Sequence, residues 1–244
     1  HTNLDAEDFK ICICKHEDIE NWKDYIPASN GILIGGFNLL NEWMIRSEVR
    51  DALYKLYVRN LNTNEEEELI ITNEKVISPA VALMQKNRNT NKIYIAYESP
   101  KIPGKSYIYD IATKEKKLVK EEIVPSGHNP EDYIVERLNC DSHDGKKIPL
   151  TITRHKKTKL DGNANLLLYG YGSYGSSIGP EFSSTRLSLI NRDIIWVTAH
   201  IRGGMERGMS WWKEGKMLNK KNTFKDYISS ANFLIEKKYT SKRK

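Results

Sequence analysis

Two serines of this chain stand in loop-like surroundings where a nucleophile could sit, and neither has the neighbours that acyl transfer needs. A serine that attacks a carbonyl carbon is held on a sharp strand-to-helix turn, which the sequence shows as Gly-x-Ser-x-Gly. Ser173 fails this test because Tyr171 stands where the first glycine is required. Ser210 lies between two bulky side chains, Met209 and Trp211. The sequence therefore offers no recognisable nucleophilic serine.

The cysteines do not indicate a metal site. Cys12, Cys14 and Cys140 are odd in number and lack metal-ligand spacing, and the first two fall in the alternating apolar pattern of a strand. A phosphate-cradling Gly-Lys-Ser/Thr loop does not occur in the sequence. We therefore expect no metal, no cofactor and three reduced thiols.

The net charge of +6 raises the question of an acidic partner. Basic residues alternate with acidic ones along most of the chain, and only residues 237–244 form a basic run. A single Arg-Gly-Gly at 202–204 is a weak sign of RNA binding, because the glycines are explained equally well by a loop. Scattered charge of this kind is typical of a solvated surface, so we do not expect nucleic-acid binding.

No segment has the pattern of a leader or of a membrane helix. The first five residues have neither a basic nor an apolar region, and no apolar run approaches the ~20 residues that a membrane helix requires. The first residue is His1 rather than Met, which fits a processed or truncated protein. We expect a cytoplasmic protein without membrane contacts.

The first half of the sequence predicts short strands that repeat. Strand patterns include 9–15, 32–37, 43–49, 53–60, 92–97 and 106–111. At an offset of fifty residues, 57–65 matches 107–115, 44–48 matches 94–98 and 32–34 matches 82–84. A repeat of this length with four strands has the size of a β-propeller blade, although two similar hairpins in a β-sandwich remain an alternative.

The second half of the sequence predicts a different mixture of elements, with buried strands, glycine-rich loops and a helix. A strand pair at 133–139 and 148–154 flanks Asp144-Gly145, a hairpin turn signal. Short apolar runs at 166–169 and 194–197 end at glycine-rich loops and predict buried strands. A helix with Asn222 or Thr223 as its cap and Asp226 in its first turn should follow. Its predicted apolar face consists of Phe224, Tyr227, Ile228, Ala231, Leu234 and Ile235. These elements indicate the α/β class.

Five linked motifs in the second half keep a common order and spacing. They are Leu-Tyr-Gly-Tyr-Gly-Ser-Tyr-Gly at 168–175, Phe-x-x-x-Arg-Leu at 182–187, His-Ile-Arg-Gly-Gly-x-Glu-x-Gly at 200–208, Trp-x-x-Gly-Lys at 212–216 and Lys-Lys-Asn-Thr-Phe-x-Asp at 220–226. With them the chain resembles the oligopeptidase B (protease II) group of the prolyl oligopeptidase family of serine peptidases. The resemblance implies a β-propeller that covers an α/β-hydrolase domain, and hydrolysis of short peptides after Arg or Lys.

The resemblance also divides the chain. Residues 1–130 would be the last blades of an incomplete, mostly antiparallel propeller, and 131–244 the N-terminal part of the α/β-hydrolase peptidase domain. The family's nucleophile elbow follows the helix at 222–235, so the Ser-Asp-His triad would lie beyond this sequence. His128, His143, His155 and His200 all precede that point, and we expect them in turns or on the surface.

Three hypotheses about activity remain open after this division. The chain would be inactive alone as a piece of an oligopeptidase whose substrates are short basic peptides. It could instead assemble with a complementary chain that carries the triad. The third hypothesis is a noncatalytic remnant that acts as a binding module.

The resemblance gives Tyr171 a catalytic role. The family stabilises the tetrahedral oxyanion with a tyrosine hydroxyl from this loop and with the backbone N–H after the serine. Gly170, Gly172 and Gly175 would form the loop and let the backbone approach the substrate closely. The alternative is that Tyr171 only packs on neighbouring strands.

Glu181 is the one acid present where oligopeptidase B carries two aspartates that help to hold a second basic residue of the peptide. The resemblance therefore implies substrate binding by Glu181 with a weakened preference for paired basic residues; the alternative is an ordinary surface acid. Arg202, Gly203 and Gly204 should form a second loop. Met205 stands there where the family commonly has a third glycine, and it would be strained if the loop requires positive φ.

Overall fold

The computed structural model describes residues 1–84 and 88–244, and the first half of the chain is antiparallel β-structure. It begins with a hairpin of β1 (Ile11–Lys15) and β2 (Asp18–Ile26). A four-stranded sheet of β3 (Ile32–Leu39), β4 (Trp43–Arg50), β5 (Leu53–Asn60) and β6 (Glu66–Glu68) follows, with its strands in chain order. A second such sheet consists of β7 (Ser78–Leu83), β8 (Lys92–Ser99), β9 (Ile102–Asp110) and β10 (Lys116–Glu121). Each four-stranded sheet is an up-and-down meander, the form of a propeller blade.

The internal repeat is clearest in the turn that follows the third strand of each meander. Asn60 Oδ1 accepts the backbone N–H groups two and three residues ahead at 2.8 and 3.1 Å. Asp110 Oδ1 accepts the equivalent pair at 3.0 and 3.1 Å. Asn64 and Lys114 then close the two turns with φ of 63° and 62°. The match between 57–65 and 107–115 therefore corresponds to an Asx turn of the same geometry in both blades.

One part of the repeat was aligned wrongly. The fifty-residue offset places 32–34 on 82–84, but Ile34 pairs with Glu48 whereas the residue that pairs with Glu98 is Ser78. The first strands of the two blades are therefore related by a shorter offset than the second and third strands. The reason is that fewer residues separate β3 from β4 than separate β7 from β8.

A continuous apolar core lies between the two meanders. Its buried members come from both sheets, and they are Leu40, Ile45, Leu56, Val58, Leu69, Ile71, Ile93, Ile95, Tyr97, Tyr109 and Ile111. Alternate residues of β4, β5 and β8 contribute to it, as expected for strands with one face packed on a neighbouring sheet. Burial of this apolar surface holds the blades face to face.

The second half forms a mixed sheet with helices. Its strands are β11 (Tyr133–Asp141), β12 (Lys147–His155), β13 (Leu166–Tyr169) and β14 (Ile195–Ala199), in the spatial order β11-β12-β14-β13. β13 and β14 are parallel, and the other pairs are antiparallel. The helices are α1 (Ser184–Ile190), α2 (Met209–Lys213) and α3 (Lys221–Glu236). This arrangement confirms the α/β class of the second half.

Helix α3 differs from its prediction in its cap and in its buried face. The helix begins at Lys221, and the cap position is Lys220, so neither Asn222 nor Thr223 caps it. Its buried side chains are Thr223, Asp226, Ser230 and Leu234, whereas Phe224 and Ile228 of the predicted apolar face are exposed. Leu234 of that face is buried and Tyr227 packs, partly buried, against the core of the mixed sheet, so only part of the predicted face is buried.

The two halves are joined by contacts between residues far apart in the chain. The buried carboxylate of Asp8 accepts the backbone N–H of Met209 and that of Gly31, both at 2.6 Å. The turn between β4 and β5 contacts the second half through the N–H of Ala52, which donates to the Glu206 carbonyl at 2.8 Å. These bonds fix the first blade against the loop after β14.

The described ranges 1–84 and 88–244 contain no helix that is long and apolar enough to span a membrane. The same ranges contain no cluster of three or more His, Cys, Asp or Glu side chains that could hold a metal ion.

Candidate functional site

A glycine-rich turn follows β13 and carries Tyr171. Gly172 has a φ of +58°, and a Cβ on it would lie only 2.6 Å from Thr223 Cγ2. Gly170 is packed almost as closely, with its Cβ position 3.1 Å from the nearest side-chain atom. Tyr171 stands between these glycines with 44% of its surface exposed. Its hydroxyl has no hydrogen-bond partner within the part of the chain that the structure describes, so it is free to donate to a ligand.

Contacts from two other segments hold this turn. Lys220 Nζ donates to the Gly172 carbonyl oxygen at 2.5 Å and lies 3.2 Å from Ser173 Oγ. The N–H of Gly175 donates to the Gly203 carbonyl at 2.9 Å. The N–H of Ser176 closes the turn on the Ser173 carbonyl at 3.0 Å. The backbone around Tyr171 is therefore fixed by α3 and by the loop after β14.

Arg202 is the centre of a buried ionic network. Its guanidinium donates to Asp226 at 2.6 and 2.8 Å, to Asp144 at 2.6 Å and to Ser142 at 3.1 Å. Ser142 Oγ in turn donates to Asp226 at 2.5 Å. Burial alone would lower the pKa of Arg202, but its bonds to Asp226 and Asp144 outweigh burial and raise it. The hydrogen bond from Arg202 lowers the pKa of Asp144 to about 2. Since its side chain is only 1% exposed, Arg202 cannot contact a nucleic acid.

The loop of Arg202, Gly203 and Gly204 tolerates methionine at the next position. Gly203 has a φ of +107°, and a Cβ on it would overlap the Gly172 carbonyl oxygen. Met205 is not among the residues with positive φ. Its side chain packs on Gly175, where a Cβ would lie 3.1 Å from Met205 Cε. The strain considered for Met205 therefore does not arise, because Gly203 takes the left-handed conformation.

His200 and Glu206 form a buried pair beside this loop, and the prediction of a turn or surface position for His200 is wrong. His200 is 1% exposed, and its Nε2 lies 2.8 Å from Thr151 Oγ1. Its Nδ1 lies 4.0 Å from Glu206 Oε1, which accepts the N–H of Ile178 at 3.1 Å. Neither His200 Nδ1 nor Glu206 Oε2 has a hydrogen-bond partner among the described residues. Sequence reasoning missed the pair because no local pattern marks a buried histidine.

The other three histidines named above are exposed or half-buried. His143 is exposed in the turn between β11 and β12. His155 is half-buried at the end of β12. His128 is half-buried in the segment before β11, where its ring stacks on Tyr133 with centroids 5.0 Å apart.

Burial raises the pKa of Glu206 to about 7 and lowers that of His200 to about 3. Hydrogen bonds from the backbone N–H groups of Glu206 itself and Ile178 partly counter the rise at Glu206, and the charge of Arg137 adds to the fall at His200. At neutral pH the histidine is therefore uncharged, while the carboxyl group titrates.

Glu181 lies on the surface near a second acid that the sequence did not indicate. Arg186 bonds to the backbone carbonyl of Glu181 at 3.1 Å, leaving the exposed carboxylate unused by this contact. Glu98, at the end of β8, accepts the N–H of Phe182. Burial raises the pKa of Glu98, and the negative charge of Glu181 adds to the rise. The two acids therefore interact electrostatically, although they are distant in sequence and belong to different halves of the chain.

Comparisons with known proteins identify both halves. The family model "Prolyl oligopeptidase, N-terminal beta-propeller domain" matches residues 1–122, and the model "Prolyl oligopeptidase family" matches residues 180–244. These matches confirm the predicted fold class, propeller blades followed by the start of a hydrolase domain.

Individual relatives agree with the family models. The chain is 33% identical to dipeptidyl aminopeptidase BI of Pseudoxanthomonas mexicana over 99% of its length and 33% of the relative. It is 31% identical to Protease 2 of Moraxella lacunata over all of its length and 35% of the relative. Oligopeptidase B from Trypanosoma brucei, solved with covalently bound antipain, superposes with a TM-score of 0.86 and 30% identity, covering 95% of this chain and 34% of that one. The chain thus spans about a third of the length of these relatives. It belongs to the prolyl oligopeptidase family.

Proposed function

We propose that this chain supplies the oxyanion-stabilising turn of a serine oligopeptidase that cleaves short peptides after Arg or Lys. The observation that carries the proposal is the unbonded, half-exposed hydroxyl of Tyr171 on a turn held between Gly170 and Gly172. Attack on a peptide carbonyl places negative charge on its oxygen, and a preorganised hydroxyl donor lowers the energy of that state. Tyr171 would donate this hydrogen bond, together with a backbone N–H that follows the nucleophile.

Glu181 and Glu98 support a preference for basic substrates. In this proposal the two carboxylates hold a guanidinium or ammonium group of the substrate. Arg186 interacts electrostatically with both acids and offsets part of their negative potential. In this proposal Glu98 takes the place of the second aspartate that the sequence lacks near Glu181. The relatives are named for different kinds of cleavage, so membership of the family does not by itself support a preference for basic residues. The preference proposed here is based on Glu181 and Glu98.

The chain is proposed to need a nucleophile that its 244 residues do not supply. Ser173 Oγ lies 3.2 Å from Lys220 Nζ, and no histidine of the described ranges bonds to it. Ser210 lies within α2. His200 is buried and already contacts Thr151. The nucleophile and its catalytic partners would come from the same polypeptide or from a complementary chain. A noncatalytic binding module is the second candidate, and the exposed apolar side chains Phe224 and Ile228 on α3 favour it.

The remaining parts of the proposal concern domains and location. We divide the chain at residue 130, since the antiparallel meanders end with β10 and the mixed sheet begins with β11. The peptide substrate is the proposed partner. A cytoplasmic location is supported by Cys12, Cys14 and Cys140, which are free thiols in the structure.

A chimera tests the function. The 244 residues would replace the matching segment of Protease 2 of Moraxella lacunata, and the product would be assayed with an Arg-containing chromogenic peptide. Tyr171→Phe should lower kcat about 10²–10³-fold with little change in KM, because the lost hydrogen bond forms only in the transition state.

Tyr169→Phe is the matched control, since Tyr169 is 40% exposed at the end of the same strand. The proposal fails if Tyr171→Phe and Tyr169→Phe have equal kcat. It also fails if the 244-residue chain hydrolyses the peptide by itself at a rate that Tyr171→Phe does not change.

A further inference from the structure

We propose that Lys220 is a positioning residue for the turn that carries Tyr171, and this inference rests on the proposed function. Its ammonium group binds the carbonyl of Gly172, the residue directly after Tyr171, at 2.5 Å. A second oxygen, Ser173 Oγ, lies 3.2 Å from the same nitrogen. The lysine thus bridges the start of α3 and the Tyr171 turn, 48 residues earlier in the chain.

Lysine is an unfavourable residue at the N-terminus of α3, where Lys220 lies. It occupies the cap position of α3, where serine, threonine, aspartate or asparagine would satisfy a free backbone N–H, and its side chain makes no capping bond. A cation at a helix N-terminus is also repelled by the helix dipole. Burial lowers its pKa, which shows that desolvation opposes its charge. A residue that breaks three local preferences is expected to have a compensating role, and its contact with the Tyr171 turn provides one.

The turn needs an external anchor because its key residue is glycine. Gly172 adopts a φ of +58°, and glycine reaches both signs of φ with similar ease, so its own sequence does not fix the turn. The carbonyl of Gly172 is contacted by Lys220 and occupies the space that a Cβ on Gly203 would need. With this carbonyl held, the Gly172–Ser173 peptide plane has one orientation, which fixes the turn immediately after Tyr171 and so helps to aim the tyrosine.

The charge of Lys220 is not cancelled locally. Within residues 1–84 and 88–244, no carboxylate forms an ion pair with it, and its oxygen partners are a carbonyl and a hydroxyl. The nearest ring is Phe224, with the nitrogen 5.9 Å from its centroid. The charge therefore strengthens the hydrogen bond to the Gly172 carbonyl, which gives the lysine an advantage over a neutral donor in holding the turn.

The first test measures the order of the turn in the 244-residue chain, without any reference to activity. Lys220→Met removes the donors and keeps an unbranched side chain of similar length. Hydrogen exchange of the Gly175 and Ser176 amides, which close the turn, should become at least tenfold faster, while exchange in β12 and β14 stays unchanged. Lys220→Arg should restore protection to within about twofold, because arginine keeps the charge and can reach the same carbonyl.

Lys221→Met is the matched control, since Lys221 is the exposed neighbour at the same helix start. Unchanged exchange in Lys220→Met, or equal acceleration in Lys221→Met, overturns the proposal. If Lys220→Met does not fold, Lys220→Gln is measured in the same way. Failure of both to fold while Lys221→Met folds would make Lys220 a residue of the global fold, and that also overturns the proposal.

The second test uses the chimera described above. Lys220→Met should lower kcat about tenfold or more with KM within about twofold, and Lys220→Arg should recover most of the loss. In the Tyr171→Phe background the same change should have an effect of less than about twofold, because a positioning residue acts through the group that it positions. Equal losses in both backgrounds would refute action through Tyr171.

The two tests separate the possible failures. If Tyr171→Phe has no effect on kcat, the proposed function is wrong, whereas the exchange experiment still decides whether Lys220 holds the turn.

Discussion

The buried pair of His200 and Glu206 predicts an unusual dependence of stability on pH. The pKa of Glu206 rises from 4.5 to about 7, so between these values the unfolded chain has lost a proton that the folded chain keeps. Stability therefore falls as pH rises through this window. The pKa of His200 falls from 6.5 to about 3, so in that window the unfolded chain holds a proton that the folded chain lacks. Stability from this group rises with pH.

The two effects oppose each other where the windows overlap, between pH 4.5 and 6.5. Each single group changes the free energy of unfolding by about 1.4 kcal/mol per pH unit, and the full rise of the Glu206 pKa corresponds to about 3 kcal/mol. In the intact protein these slopes should nearly cancel. Removing one member of the pair should uncover the slope of the other.

Glu206→Gln is the informative substitution. Across pH 4.5–6.5, its free energy of unfolding should rise relative to the intact protein by about 1.4 kcal/mol per pH unit. His200→Gln should show the opposite sign. Urea unfolding at several pH values measures this, with tryptophan fluorescence as the signal, since Trp211 Nε1 donates to the His200 carbonyl at 3.0 Å. Using differences between proteins removes the contribution of all other titrating groups.

Glu20→Gln serves as the control, because Glu20 is exposed on β2. Its curve should run parallel to that of the intact protein. Parallel curves for Glu206→Gln as well would refute the reasoning, since they would mean that burial does not keep a proton on Glu206 in this range.

Three further predictions concern the network, the turn and the acids. Asp226→Asn should lower the free energy of unfolding by about 3–5 kcal/mol in urea denaturation, because it leaves the buried charge of Arg202 without its main partner. Gly172→Ala should lower the melting temperature by several degrees, through a clash and a positive φ, whereas Gly36→Ala, which has no atom within 4 Å of its Cβ position, should change it little. In the chimera, Glu98→Gln should lower kcat/KM for peptides with paired basic residues about two- to tenfold, with a smaller effect on monobasic peptides; equal effects on both would contradict a role in binding the second basic residue.

The propeller half was largely predictable because its signals are local. An Asx turn needs only one side chain and the next three residues, so the match between Asn60 and Asp110 carried real structural information. Strand alternation likewise reports burial on one face of a sheet. The alignment of 32–34 failed because the offset depends on the length of a connection, which no local pattern constrains.

The loops of the candidate site could be predicted from the sequence, whereas the long-range contacts that hold these loops could not. Glycines at 170, 172 and 203 were identified from the motif, and the structure gives each a steric reason. Arg202 was expected in a loop, but its ionic partners Asp144 and Asp226 lie 58 and 24 residues away. Long-range polar contacts of this kind leave no periodic signal, and the burial of Thr223, Asp226 and Ser230 on α3 was missed for the same reason. The role of Tyr171 remains a prediction until kcat is measured.

The carboxylate of Asp8 has a consequence for how the protein is made. One of its two partner N–H groups belongs to Met209, 201 residues later, and the other belongs to Gly31, 23 residues later. The bond to Gly31 can form as the first blade folds, whereas the bond to Met209 requires both halves of the chain. Asp8 thus links an early, local contact to a late, long-range one, and the second can form only when the loop after β14 is in place.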